Sequence, residues 1–339
     1  MTKTYDIAVV GATGLVGETL LTLLAERNFP VGQVYALASE NSFGKEIEFG
    51  RKTLDVEELA EFDFSKVQLA FFAVPAAIAA EYIPVATQAG CVVIDNSTHY
   101  REDAKVPLVI PEINPEAIAG YKNKNIIASP GSSTIQLSLA LKPILDVVKL
   151  THIQVFACEA VSESGRRAVD ELAGQTASLL SGRPVESKIF AKQMAFNLLP
   201  QVGDVIEQGH TAQETRLLKE TRQVLVKPDL PLSPTVIRAP VFFGTALEVY
   251  IETEAPLPLT QLKSVLENAK GLEVFAEEGD YPTPVVEAAN NDSVYVGRLR
   301  ADLTQSNGLH LWLVSDNVRK GAALNSVQIA ELLVHAGLK

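Results

Sequence analysis

The sequence predicts an α/β protein in two parts: a parallel sheet covered by helices, then an α+β region on a mixed or antiparallel sheet. Three observations carry this. Continuous apolar runs alternate with helix-spaced segments through the first third of the chain, as strands buried on both faces require. In the second half, Val236 to Phe243, Ala246 to Thr253 and Val294 to Leu299 alternate apolar and polar residues more, which suits antiparallel or mixed pairing. The length, 339 residues, is about two domains at ~150 residues each.

The elements follow in order. Ile7-Ala8-Val9-Val10 is a first strand that ends in glycine. Leu15 to Arg27 carries apolar residues at 16, 20, 23 and 24, a helical spacing. Val34 to Ala38, Leu69 to Val74 and Cys91 to Ile94 are further strands. Thr134 to Lys142 reads as a helix whose end Pro143 disturbs. Ile153 to Val161 reads as a strand. Lys227 to Thr235 holds Pro228, Pro231 and Pro234 and reads as a loop. Ala322 to Ala336 is helical again, with Leu324, Val327, Ile329, Leu332 and Leu333 near one face.

Composition excludes several function classes. Acidic residues outnumber basic ones 41 to 29, a net charge of −12. That argues against nucleic acid or an anionic membrane as partner, and leaves room for a local phosphate pocket. Two cysteines, Cys91 and Cys158, make no disulfide framework, and the five histidines form no H-x-x-x-H pair, so no metal is expected. The longest uncharged apolar stretch, Leu69 to Ala80, is 12 residues and contains Pro75. A spanning helix needs about 18 or more. The apolar run near the N-terminus is too short for a signal peptide. A cytoplasmic location is expected.

The strongest local motif is Gly11-Ala12-Thr13-Gly14-Leu15-Val16-Gly17, between a strand and a helix. Glycines there permit a tight turn and close backbone approach to a pyrophosphate, which the helix N-terminus attracts. Gly11, Thr13, Gly14, Leu15, Val16 and Gly17 are therefore candidate dinucleotide contacts. The end of the second strand chooses the cofactor in such folds. Here it supplies Ser39, Glu40, Asn41 and Ser42, with Lys45 beyond. Glu40 lies 23 residues after Gly17, about where an acid reads a ribose hydroxyl. It reads equally well as a solvated loop residue.

Taken with four further stretches, this motif resembles the aspartate-semialdehyde dehydrogenase family, and most closely its Usg-type paralogues. The stretches are Val93 to Arg101, Val109-Ile110-Pro111-Glu112-Ile113-Asn114, Ala195 to Gln201, and Asp316 to Asn325. The resemblance implies a Rossmann domain over 1–130 and 316–339, and a substrate-binding and dimerisation domain over 131–315. It implies a homodimer, an NADP or NAD site that includes Asn325, and a last helix that packs on the first domain.

The family enzyme attacks an aldehyde with a thiolate, passes hydride to NADP and releases the acyl group to phosphate. Its cysteine, in Asn-Pro-Asn-Cys-Ser-Thr, matches Ser132 of Ser129-Pro130-Gly131-Ser132-Ser133-Thr134. Its histidine, in a Gly-His-Ser turn, matches Thr245 of Gly244-Thr245-Ala246. Its glutamine matches Glu159, and the glycine-rich turn after that has become Ser162-Glu163-Ser164-Gly165-Arg166. The arginine associated with the NADP 2′-phosphate matches Asn41, so NADP preference is not expected. The Ser-Ala-Gly segment near the nicotinamide matches Ala73-Val74-Pro75. Arg101 and Arg238 match the arginines for phosphate and carboxylate, and Arg216 stands where lysine is usual, so a small anionic ligand remains in keeping with the site.

A serine is a far weaker acid than a cysteine and needs an adjacent base. The sequence offers none for Ser132: His99 reads as a loop residue, Cys158 points away from Glu159 by strand alternation, and no Gly-x-Ser-x-Gly elbow exists. Ser132, Ser133 and Thr134 also suit helix caps. The expectation is a catalytically inactive family member that binds a dinucleotide or anion. The alternatives are an active NAD(P)-dependent semialdehyde oxidoreductase of altered mechanism, and a Ser132 acyl hydrolase.

Overall fold

The computed structural model describes residues 3–277 and 279–338. The chain forms two compact units, Met1–Gly131 with Ala322–Lys339, and Ser132–Gly321.

The first unit opens with β1 (Tyr5–Val10), α1 (Leu15–Glu26) and β2 (Val31–Ala38). It continues through β3 (Glu46–Phe49), β4 (Lys52–Glu58), β5 (Leu69–Phe72), α2 (Ala76–Gln88), β6 (Val92–Asp95) and β7 (Ile126–Ala128). The strands make one seven-stranded sheet, in the order β3-β4-β2-β1-β5-β6-β7. Only β3 runs antiparallel to its neighbour, β4. The central strand shows why the apolar runs are continuous: Ile7, Ala8, Val9 and Val10 are all 0% exposed. Each large apolar side chain so buried contributes about 1.5–3 kcal/mol.

The second unit starts with α3 (Ser132–Leu145), β8 (Leu150–Glu159), α4 (Arg166–Leu180) and α5 (Ala212–Val224). Then follow β9 (Leu232–Arg238), β10 (Thr245–Thr253), α6 (Leu259–Glu267), β11 (Leu272–Val274), β12 (Val294–Ala301) and β13 (Gly308–Ser315). Their sheet has the order β11-β12-β13-β10-β8-β9 and is mixed, as the alternating segments suggest. Pairs β8–β9 and β11–β12 are parallel, and the others antiparallel. Helices α3, α5 and α6 pack on this sheet. Val155, Ala157, Leu247, Val249, Leu311 and Leu313 form its buried side. The alternate residues Phe156, Tyr250 and Trp312 stay half-buried or exposed.

The chain then returns to the first unit as α7 (Asn325–His335). Leu324, Val327, Ile329 and Leu333 join Val9, Leu20, Phe71 and Ile94 in one core. Among the described residues, no helix is long and apolar enough to cross a membrane.

Two expectations need correction. The proline-rich segment 227–235 is not all loop, because β9 begins at Leu232. Pro234 is tolerated because β9 is an edge strand, where a missing N–H costs no ladder bond. The helix read as Thr134 to Lys142 is longer at both ends: α3 starts at Ser132 and runs through Pro143 to Leu145.

Candidate active site

The glycine turn of the first unit is shaped by what cannot fit there. Gly11 has φ of 86°, and a Cβ on it would lie 2.3 Å from the Ala73 carbonyl oxygen. A Cβ on Gly17 would lie 2.1 Å from the Gly11 carbonyl oxygen. Gly14 is the N-cap of α1 and makes no side-chain hydrogen bond to it; the first amides of a helix attract anions. Leu15 and Val16 open that helix, half-buried. Thr13 Oγ1 donates to Ser42 Oγ at 3.4 Å, and Lys45 Nζ reaches the same oxygen at 3.5 Å. The turn after β2 is thereby drawn to the glycine turn. Ser39, Glu40 and Asn41 are exposed beside it. This cradle fits the phosphates of a dinucleotide.

Asn325 sits in the core of the same unit, 0% exposed. Its Nδ2 donates to Val109 O at 3.0 Å and to Ser129 Oγ at 2.9 Å. Its Oδ1 has no partner among the described residues. Arg101, half-buried after β6, donates from Nη2 to Asn96 O at 2.7 Å. His99 is exposed, its ring edge-on to Tyr100 at 4.5 Å.

In the second unit, three consecutive hydroxyls open α3, and each donates to a different carboxylate. Ser132 Oγ donates to Glu163 Oε1. Ser133 Oγ donates to Glu159 Oε1 at 2.9 Å, and Thr134 Oγ1 to Glu220 Oε2 at 2.8 Å. All three lie inside the first turn of α3, which starts at Ser132 itself. Carboxylates are favourable beside a helix start, where the macrodipole is positive. Ser132 is 6% exposed. It is held close on its other side, since a Cβ on Gly321 would lie 2.6 Å from Ser132 Cβ. Thr245, 0% exposed, donates to the same Glu163 oxygen at 3.4 Å.

Arg216 and Arg238 of this unit are already engaged. Arg238, 5% exposed, pairs its Nη1 with Glu159 Oε2 at 3.3 Å and donates to Ala160 O at 2.7 Å. Strand register explains the pairing, because Glu159 stands opposite Arg238 in β8–β9. Gln213 Nε2 donates to Glu159 Oε1 at 2.7 Å, and Arg216 Nη2 donates to Gln213 Oε1 at 3.0 Å. Arg216 and Arg238 are thus joined through Gln213 and Glu159. Beside them lies a cleft of about 480 Å³ with Ser164, Phe190, Lys192, Leu199 and Arg238 in its walls.

Glu163, Gln213 and Asn317 are site residues that the sequence reading left without a role. Glu163 rides on a 3₁₀ turn, Val161–Ser164. Asn317 Oδ1 accepts from Gly244 N at 2.8 Å, and its Nδ2 donates to Ser162 Oγ at 3.0 Å. It therefore ties the Thr245 turn to the Glu163 turn. The one available signal was a glutamate within a turn where the resembling family has glycine. Among the described residues, no group of three or more His, Cys, Asp or Glu is placed to hold a metal.

Comparison with known proteins agrees with this geometry. The semialdehyde dehydrogenase NAD binding domain matches residues 6–121, and the semialdehyde dehydrogenase dimerisation domain matches residues 141–320. Aspartate-semialdehyde dehydrogenase 2 of Vibrio cholerae is 48% identical over 334 residues, covering 98% of this chain and 99% of that one. The chain belongs to the aspartate-semialdehyde dehydrogenase family. A USG-1 protein homolog of Azotobacter vinelandii is 43% identical over 337 residues, 99% of this chain and 100% of the relative. The crystal structure of Vibrio cholerae aspartate semialdehyde dehydrogenase II complexed with ASA superposes with a TM-score of 0.97 at 47% identity. That match covers 99% of this chain and 100% of the other. Membership brings an NAD(P)-binding domain and a dimerisation domain, and the latter implies a homodimer.

Proposed function

We propose that this aspartate-semialdehyde dehydrogenase family protein binds a dinucleotide and a small anion but does not perform phosphorylating dehydrogenation. The observation that carries this reading is the opening of α3. A hydroxyl, Ser132, stands at the position matched to the thiol, and another, Thr245, at the position matched to the imidazole; both are tied to Glu163. An alcohol cannot supply the thioester that phosphate would cleave. Loss of the general base alone costs about 10²–10⁴-fold. The carboxylate of Glu163 would also oppose a thiolate placed there.

A bound anion would meet Arg216 and Arg238 where they already contact Gln213 and Glu159. For the cofactor, exposed Glu40 and Asn41 favour no discrimination for NADP, since a carboxylate repels a 2′-phosphate and accepts from a ribose diol. Calorimetry checks this: NADP tighter than NAD by tenfold or more refutes it. A nicotinamide cofactor bound in the first unit would supply hydride acceptance.

The competing reading, an active NAD(P)-dependent semialdehyde oxidoreductase, draws on the name of the 48% identical relative. One assay separates the two. NADPH formation from aspartate semialdehyde with phosphate is measured on protein from a host lacking its own enzyme. Negligible turnover supports the proposal; turnover near a typical enzyme value of about 10 per second overturns it.

A further inference from the structure

Ser132 lacks an imidazole beside it but does not lack a proton acceptor. Its Oγ donates to Glu163 Oε1, from a residue 31 positions away on a separate turn. Ser132 is the first residue of α3, so the amides of that first turn have no partner within the helix. They lie at the positive end of the helix macrodipole. A carbonyl attacked by Ser132 would develop its negative oxygen in that field, where fixed donors stabilise it most. The cleft of about 480 Å³ is lined by Ser164, the neighbour of Glu163, and by Arg238, the partner of Glu159. Phe190 and Leu199 give that cleft apolar surface for a small acyl or alkyl group.

We infer that Ser132 and Glu163 form a nucleophile–base pair for acyl transfer from small carboxylic esters. Glu163 takes the Ser132 Oγ proton as Oγ bonds to the ester carbonyl carbon. The carbon–oxygen bond to the alcohol then breaks, and Glu163 returns the proton to the departing alkoxide. The acyl-serine is cleared by water, whose proton passes to Glu163 while its oxygen bonds to the acyl carbon. Ser132 Oγ departs and recovers that proton. No electrons are exchanged with a cofactor, so the activity is independent of the dehydrogenase reading, and hydride and ester assays fail separately.

The test is p-nitrophenyl acetate hydrolysis by the full chain, with acid-quenched mass spectrometry of the peptide containing Ser132. The expected result is turnover above buffer, one acetyl group on Ser132, and loss of both in Ser132→Ala. Glu163→Gln lowers kcat by 10²-fold or more, with KM changed little. The acetyl readout uses the unmodified protein and stands even where a variant folds poorly. Hydrolysis by Ser132→Ala equal to the unmodified protein, absence of acetyl on Ser132, or an unimpaired folded Glu163→Gln overturns the inference.

Discussion

A charge means something different once buried, and Arg238 shows it. With 7% of its side chain exposed against 1% for Glu159, the pair is largely out of water. Such a pair gains little over an apolar replacement, but losing one member strands the other. Arg238→Ala is therefore expected to lower unfolding free energy by about 3–5 kcal/mol, measured by urea denaturation. Burial acts on two other groups as well. It pushes the Cys91 thiol up to about 12, so Cys91 should stay unlabelled by thiol reagents at pH 8 in the folded protein. Burial also raises the Asp95 carboxyl, against the hydrogen bonds from Ser97 N at 2.8 Å and Ser97 Oγ at 2.9 Å. The folded state then holds that proton more tightly than the unfolded state. The stability Asp95 contributes is full below its unfolded pKa and is lost as pH rises through the folded value. Ser97→Ala removes an opposing donor, so the Asp95 titration should move further up. Carboxyl NMR showing no movement, or a downward one, would refute this.

At the scale of elements, legibility followed locality. Strands β1, β5 and β6 were readable because a strand buried on both faces must be apolar at nearly every position. The glycine turn was readable because its constraint is local: Gly17 faces Gly11 only six positions away. Gly17→Ala would drive a Cβ to 2.1 Å from a backbone oxygen, and the strain should cost about 1–3 kcal/mol. Thermal unfolding would register the loss, together with weaker dinucleotide binding. Strand β9 was misread at its start because Pro234 signals loop unless the strand lies at an edge, and edge position is set by partners elsewhere in the chain. Glu163 escaped for the same reason. Nothing near it in sequence points to Ser132; the meeting depends on α3 and on Asn317 pinning the Ser162 turn to the Gly244 turn.

For the whole molecule, the open question is which surface makes the dimer that the dimerisation domain implies. Strand alternation in the second sheet sends every other side chain away from the helices. Register lines these outward residues into rows, Phe156–Glu248–Trp312 and Gln154–Tyr250–His310. Phe156 is 40% exposed on β8, one strand in from the edge of the sheet, an unusual place for a large apolar side chain that faces only water. Around it, His310 is held between Glu248 at 2.8 Å and Asp302 at 2.9 Å, and Tyr250 donates to Glu252 at 2.8 Å. Aromatic residues framed by polar groups are what the buried centre and rim of an interface look like. A two-fold dimer would set the same patch against itself, so one substitution there acts twice per assembly. Phe156→Asp places two carboxylates in the contact while leaving the buried side of the sheet untouched. Sedimentation at micromolar concentration should show a dimer for the unmodified chain and a monomer for the variant, with unchanged circular dichroism. A variant that remains dimeric places the interface on another surface, and an unmodified chain that sediments as a monomer removes the dimer itself.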